Sequence, residues 1–315
     1  DKETYLYRMT YNIKEDNADT TKKAVVPKGA EVLLESRYPY LDDSQIRYIL
    51  YSTAVSSGYS VLDDAEGWGR LNLFEAANGY GAFDTNVTVN MDASKGGFNV
   101  ADNWKNDISG TGSLTKEGSG MLVLSGNNSY TGNTIVDGGS IRADYASAFG
   151  NSSIVNNSVI NENTDDTLII NGNYKQNKSG VLELTISNEN DYVDITGNAE
   201  LGGKLVLNFK DYIPSTDAEI IKCASVASQF DEIEINAPEG FEGKIAYNDN
   251  GVDLVFSQKT DNNTAQNEIS SPQTGDTSHV VMAFTAFVLS LAGILTASFA
   301  SKIKSDRIIE SDRMV

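Results

Sequence analysis

Gly110-Thr111-Gly112-Ser113-Leu114-Thr115-Lys116-Glu117-Gly118-Ser119-Gly120-Met121-Leu122-Val123-Leu124-Ser125-Gly126-Asn127-Asn128-Ser129-Tyr130-Thr131-Gly132 consists of short apolar runs broken by glycine, serine and asparagine. So many breakers nearly exclude a continuous helix and predict short strands joined by tight turns. The same pattern runs from residue 84 to 256. Within it Met121-Leu122-Val123-Leu124, Thr134-Ile135-Val136, Ser140-Ile141-Arg142, Leu168-Ile169-Ile170 and Leu205-Val206-Leu207 each read as a strand.

Residues 110–132 resemble the autotransporter-associated β-strand repeat, and Thr134-Ile135-Val136-Asp137-Gly138-Gly139-Ser140-Ile141 continues it, giving a repeat core at 110–142. The resemblance implies a right-handed parallel β-helix, with apolar residues pointing inward and Gly or Asn at corners of positive φ. Tyr174-Lys175-Gln176, Val193-Asp194-Ile195-Thr196-Gly197 and Leu201-Gly202-Gly203-Lys204-Leu205 look like later rungs of the same passenger-type stalk. A solenoid draws its stability from neighbouring coils and needs covered ends. Residues 29–82 are expected at one end and the strands of residues 231–256 at the other. The expected fold class is therefore mainly β: a right-handed parallel β-helix (solenoid) with a small N-terminal α-helical cap and a C-terminal transmembrane helix.

Residues 29–83 carry the helix signals. Ala30, Leu33, Leu34 and Arg37 recur at helical spacing before Pro39 stops the run, and Asp42 with Gln45 forms a capping-box pattern. That box opens a second helix with Ile46, Ile49 and Leu50 on one face, and the two helices are expected to pack together. A turn around Gly67-Trp68-Gly69-Arg70-Leu71-Asn72 then leads into residues 73–77. This region resembles the last two helices of subtilisin-like proteases, but Asp19-Thr20-Thr21-Lys22-Lys23-Ala24-Val25-Val26-Pro27 fills the place of their nucleophile segment. Val25-Val26-Pro27-Lys28-Gly29-Ala30-Glu31-Val32-Leu33-Leu34-Glu35, together with Gly67 to Phe74 and Gly79-Tyr80-Gly81-Ala82-Phe83, is more similar to the module after the catalytic domain of secreted phosphatidic-acid-phosphatase-type acid phosphatases. Residues 1–28 would then close an upstream catalytic domain. The paired-histidine motifs of those enzymes do not occur, so no catalytic residue is carried over.

Beyond the polar tether of residues 257–270, Ser271-Pro272-Gln273-Thr274-Gly275 precedes an uncharged run at residues 280–300 and then Lys302, Lys304 and Arg307. At 1.5 Å rise per residue, about twenty apolar residues span a hydrocarbon core of roughly 30 Å. The positive charge after the run places residues 301–315 inside the cell. Pro272 favours an extended, accessible pentapeptide. The arrangement resembles the sortase sorting signal of Gram-positive cell walls, with Ser271 pointing to a class that prefers S/P-P-x-T-G. The resemblance implies a membrane-inserted precursor, cleavage between Thr274 and Gly275, and transfer of Thr274 to a peptidoglycan amine. Sortase and peptidoglycan are the expected partners, and the Gram-positive cell surface the expected location. A chain that starts at Asp1 without a signal peptide reads as the C-terminal fragment of an exported protein.

The composition limits the chemistry. A formal charge of −20 argues against nucleic acid as a partner, which needs a basic face. Cys223 is the one cysteine, so it forms no internal disulfide and is expected as a small buried hydrophobe. His279 is the one histidine, at the membrane edge, so neither a Ser-His-Asp triad nor a two-histidine zinc site assembles before it. The acidic pairs Asp63/Asp64, Asp165/Asp166 and Glu189/Asp191 lie beside turn residues, where their own backbone accounts for them. Calcium between coils stays an alternative, although the D-x-D-x-D-G loop and the G-G-x-G-x-D tandem are absent. No cofactor, metal ligand or catalytic residue is assigned. Two function classes follow: a wall-anchored β-solenoid stalk with an adhesive role, or the anchor of an enzyme acting upstream, a phosphatase or a subtilisin-like protease.

Overall fold

The computed structural model describes residues 28–55 and 68–258, apart from residues 211, 213 and 240. The chain divides into two compact units, Asp1–Thr260 and Asp261–Val315, and every described residue belongs to the first. The expected membrane span at 280–300 lies outside the described residues. Among the described residues no helix is long and apolar enough to cross a membrane.

Strands alternate inward and outward side chains, so a chain that winds with a constant repeat returns each residue to the same address one coil later. Leu114 lies beside Thr134, Thr134 beside Ile154 and Ile154 beside Tyr174, a spacing of twenty residues at each step. These rungs belong to a ten-stranded sheet that starts at Val87–Asn90 and is parallel as far as Ala218–Val226. Facing it, a seven-stranded sheet runs from Ala101–Trp104 through Met121–Leu124, Ser140–Ala143, Val159–Glu162, Val181–Ile186 and Lys204–Phe209 to Glu232–Asn236. All six pairings in that sheet are parallel. The result is a parallel β-solenoid of about six turns.

A short third side begins where Ala82–Phe83 pairs with Ser109–Gly110, and it continues as Thr131 N–H donates to Gly110 O at 3.0 Å. Further along, Leu168–Ile170 lies beside the first half of Val193–Glu200, whose second half pairs with Tyr174–Gln176. The strands expected at Met121–Leu124, Thr134–Val136, Leu168–Ile170 and Tyr174–Gln176 occur, whereas the rung expected at 201–205 becomes a strand only from Lys204.

Two corners show why glycine recurs. Gly118 and Gly139 have φ of 72° and 60°. A Cβ on Gly118 would collide with the Met91 carbonyl, and one on Gly139 with the Gly120 carbonyl. Each corner therefore rests directly on the backbone of the coil beneath, which only glycine permits.

The interior is packed with side chains. Leu114, Leu122, Leu124, Val136, Ile141, Leu182, Leu205 and Leu207 are buried within one continuous core. Its N-terminal end is aromatic, with the Tyr80 ring 5.1 Å from Trp104 and Phe83 5.1 Å from Tyr130. Cys223 is buried and free, and burial raises its thiol pKa.

Helices α1 (Lys28–Arg37), α2 (Asp43–Ser52) and α3 (Leu73–Ala76) cover the first coil. The expected capping box is present in full: Asp42 accepts from Gln45 N–H, and the Gln45 side chain accepts from Asp42 N–H. Ile46, Ile49 and Leu50 are buried, as their spacing predicts. Helices α1 and α2 pack together, with Arg47 and Glu31 joined at 2.6 Å. One detail differs from the sequence reading. Ala30 and Leu34 face the core, but Leu33 is 62% exposed, because α1 docks along the narrow i, i+4 stripe that ends at Tyr38.

An uncovered sheet edge exposes unpaired backbone groups. At the edge strand Val87–Asn90, Gln45 Nε2 donates to Thr88 O at 2.7 Å, and nearby Ser52 Oγ accepts from Gly81 N at 3.1 Å. The module is locked on by Asp102, whose side chain is 1% exposed. Asp102 accepts from Arg37 Nη1 at 2.5 Å, from Tyr40 Oη and from its neighbour Asn103 N–H at 2.7 Å. Trp104 Nε1 in turn donates to Tyr40 Oη at 3.1 Å. At the other end the ten-stranded sheet finishes with an antiparallel hairpin, Phe241–Asn248 and Gly251–Gln258, laid against Ala218–Val226. Ser257 and Gln258, expected in the tether, thus belong to the last strand.

Removing one partner of a buried ion pair strands the other. Asp102→Asn is expected to cost about 2–4 kcal/mol in urea unfolding of the chain, since Arg37 keeps part of its solvent contact. A loss under about 1 kcal/mol would show that the clamp is not holding the module.

Candidate functional site

Period-two alternation carries polar side chains inward as readily as apolar ones, so buried polar groups are the first candidates for chemistry in a coil. Lys116 sits two residues after buried Leu114 and is fully buried. Its Nζ donates to the carbonyls of Glu117 at 2.6 Å, Gly118 at 3.5 Å and Gly138 at 3.2 Å. Burial lowers its pKa to about 8. One and two coils further on, Val136 and then Asn156 hold the same address, followed by Gln176. Asn156 Nδ2 donates to Gln176 Oε1 at 3.1 Å, while Tyr174 Oη donates to that same oxygen at 2.6 Å. Gln176 Nε2 directs its protons to the carbonyls of Gly180, Gly202 and Lys204. These groups saturate corner carbonyls and leave no base next to a nucleophile.

The outer surface is organised in columns of small polar residues. Asn133 N–H donates to Ser113 Oγ and Asn173 N–H to Ser153 Oγ, each at 3.1 Å. Asn198 N–H and Ser225 Oγ extend the second column at 2.9 Å and 2.8 Å. Ion pairs also cross rungs: Lys175 to Glu200 at 2.7 Å, and Lys204 to both Glu232 and Glu234 at 2.7 Å. Such exposed pairs add little stability.

An open cleft of about 510 Å³ lies where the helices meet the seven-stranded sheet, floored by Met121 and Val123 and edged by Phe98, Arg37, Lys105 and Arg142. Arg37 stacks over Phe98 at 4.2 Å and is already paired with Asp102. Arg142 is held twice by Asp144, at 2.7 Å each. The cleft therefore has no carboxylate pair or activated hydroxyl, and both guanidiniums are engaged.

Asp63 and Asp64 lie outside the described residues, as do His279 and the sorting residues Ser271, Pro272, Gln273, Thr274 and Gly275. Asp165 and Asp166 are exposed, and Asp166 accepts from Thr167 N–H within its own turn. Glu189 is exposed, whereas Asp191 is buried and accepts from Ser187 N–H and Oγ at 2.6 Å each. Local turn bonding is thus seen for Asp166 and for one oxygen of Asp191, and one more acid stands out. Glu162 is also buried and was not singled out, although its place two residues after inward-facing Ile160 marks it. Among the described residues no group of three or more His, Cys, Asp or Glu is placed to hold a metal ion.

Residues 114–143 match the family described as Passenger-associated-transport-repeat. The chain is 35% identical over 194 residues to the neisserial autotransporter lipoprotein NalP of Neisseria meningitidis serogroup B, covering 59% of this chain and 17% of the relative. It is 31% identical over 160 residues to an extracellular serine protease of Serratia marcescens, covering 41% of this chain and 15% of the relative. A third match, 51% identical over 47 residues, is to the adhesin BmaC autotransporter of Brucella suis biovar 1, covering 15% of this chain and 1% of the relative. The chain spans about a sixth of the length of the first of these relatives. Residues 114–143, in the second and third coils of the ladder, match the passenger-associated repeat, and the fold built around them is a parallel β-solenoid.

Proposed function

We propose that this chain is a cell-surface stalk of the autotransporter-passenger type, which carries or presents other segments and performs no catalysis itself. The observation that carries the reading is the side-chain-filled parallel solenoid with a match to the passenger-associated repeat in its second and third coils. Stacked coils give a structure whose length grows by one rung per repeat, which is what a spacer needs. The names of the relatives, two autotransporters and an extracellular protease, support display outside the cell.

Attachment is the second part of the proposal. Ser271, Pro272, Gln273, Thr274 and Gly275, the uncharged run at 280–300 and the basic residues after it support sortase transfer of Thr274 to peptidoglycan. This rests on sequence alone, and the neisserial and Serratia relatives come from Gram-negative organisms. For the activity of the whole protein, the Serratia relative's name favours a serine protease over the phosphatase that the helical module resembles. The adhesin BmaC match favours an adhesive stalk as the second reading.

Deleting residues 134–153 removes one coil and leaves Ile154 to take the place of Thr134 against Leu114. The shortened chain is expected to unfold cooperatively and to lose about 4.8 Å of length by small-angle scattering. A collapsed or aggregated product would argue against a modular spacer. Expressed as it stands, the chain is expected to turn over neither p-nitrophenyl phosphate nor casein, and activity that survives purification would refute the non-catalytic reading. In a Gram-positive host with a sortase of matching preference, Gly275→Val should move the protein from the wall fraction to the membrane fraction. Unchanged fractionation would count against sorting at this site.

A further inference from the structure

Along the seven-stranded sheet one inward address is filled in successive coils by Leu122, Ile141, Ile160, Leu182 and Leu205, and each of these side chains is buried. Ile233 is the next member of the column, placed beside Leu205, yet it is 39% exposed. Ile235 likewise follows Leu184 and Leu207, both buried, and is itself only half-buried. The reason is that Glu232–Asn236 is the last strand of its sheet, with no strand on its far side among the described residues. The hairpin Phe241–Asn248 and Gly251–Gln258 closes the ten-stranded sheet but does not pair with this one. A groove of about 370 Å³ borders the open strand, lined by its Ile235, by Ala237, and by Phe241, Gly243 and Lys244 of the hairpin.

An edge strand in this state offers two things to a ligand. No pairing among the described residues occupies its outward backbone groups, so an added strand gains main-chain hydrogen bonds. Its isoleucines lie at core addresses, so an aliphatic side chain arriving at that level covers surface that every earlier rung keeps from water.

Charge selects the occupant. Glu232 and Glu234 alternate with the isoleucines and are exposed, and Asp231 and Glu239 are exposed on either side. Lys204, on the preceding rung, reaches both glutamates at 2.7 Å, the same lysine-to-acid step between rungs that joins Lys175 to Glu200. A second copy of this chain would set the same glutamates against one another, and like charges facing across strands are destabilising. A strand in which lysine alternates with an aliphatic residue repeats the ion-pair step and covers the column at once.

We propose that Glu232–Asn236 is a β-addition site for an extended segment of another protein, in which aliphatic residues that cover Ile233 and Ile235 alternate with basic residues that face Glu232 and Glu234. The site stands at the end of the ladder opposite the helical module, and it does not depend on how the chain is anchored.

The test uses the full chain and a short blocked peptide alternating lysine and valine, N-methylated along one edge so that it pairs with a strand but does not stack on itself. This peptide is expected to bind saturably and to slow exchange of the amides within residues 232–236 by about tenfold or more. The same peptide methylated along both edges keeps its charge and side chains but loses its main-chain donors, and is expected to give no protection. Ile233→Glu is expected to weaken binding by about tenfold or more, because a charge at the inward address blocks strand addition. Attraction between charges alone predicts the opposite, tighter binding to the more acidic variant.

Equal protection by the doubly methylated peptide would overturn the proposal, as would binding to Ile233→Glu that is unchanged or tighter. So would a dimer in sedimentation whose 232–236 amides are already protected without peptide, because that would assign the edge to a second copy. The two peptides are compared on the wild type alone, which keeps the test decisive if the variant folds poorly.

Discussion

Backbone hydrogen bonds between successive coils are the constraint on which everything else in this structure rests. Each rung is only a few residues long, too short to be stable alone, and it finds partners only in the rungs above and below. With a return of twenty residues from Leu114 to Thr134, Ile154 and Tyr174, a side chain's neighbours are settled by its place in the coil. Inward positions stack into one continuous core and outward ones into columns of Asn, Ser and Asp. The corners then have no freedom, because Gly118 and Gly139 lie directly on carbonyls of the coil below.

A ladder solves the hydrogen-bonding problem everywhere except at its ends. At the N-terminal end the solution is a separate helical module whose polar side chains meet the exposed strand edge, anchored by a carboxylate buried among an arginine, a tyrosine and a backbone amide. At the C-terminal end the ten-stranded sheet changes from parallel to antiparallel pairing, so the chain folds back instead of starting another coil. Both devices interrupt the repeat, which lets the solenoid have a defined number of coils.

The polar groups inside the solenoid divide into two kinds. Lys116, Asn156 and Gln176 satisfy carbonyls at corners, so their burial is compensated by several hydrogen bonds each. Glu162 and Asp191 are held instead by nearby N–H and O–H donors, with Asp191 Oδ1 left without a hydrogen-bond partner among the described residues.

Much of this was legible in the amino-acid order because strands and corners obey local rules. The strand at Met121–Leu124, the capping box at Asp42 and Gln45, and the repeat core at 110–142 all followed from period, turn chemistry and resemblance. Alternation also accounts for the inward Asp102, Lys116 and Glu162, two residues from Trp104, Leu114 and Ile160, although none of the three was assigned from sequence. What alternation does not say is which side chains meet, because coil-to-coil register joins residues about twenty or more apart. Only the tertiary structure brought Arg37 to Asp102, turned Leu33 away from the core and buried Asp191, since each of these depends on how one coil or helix comes to rest upon another.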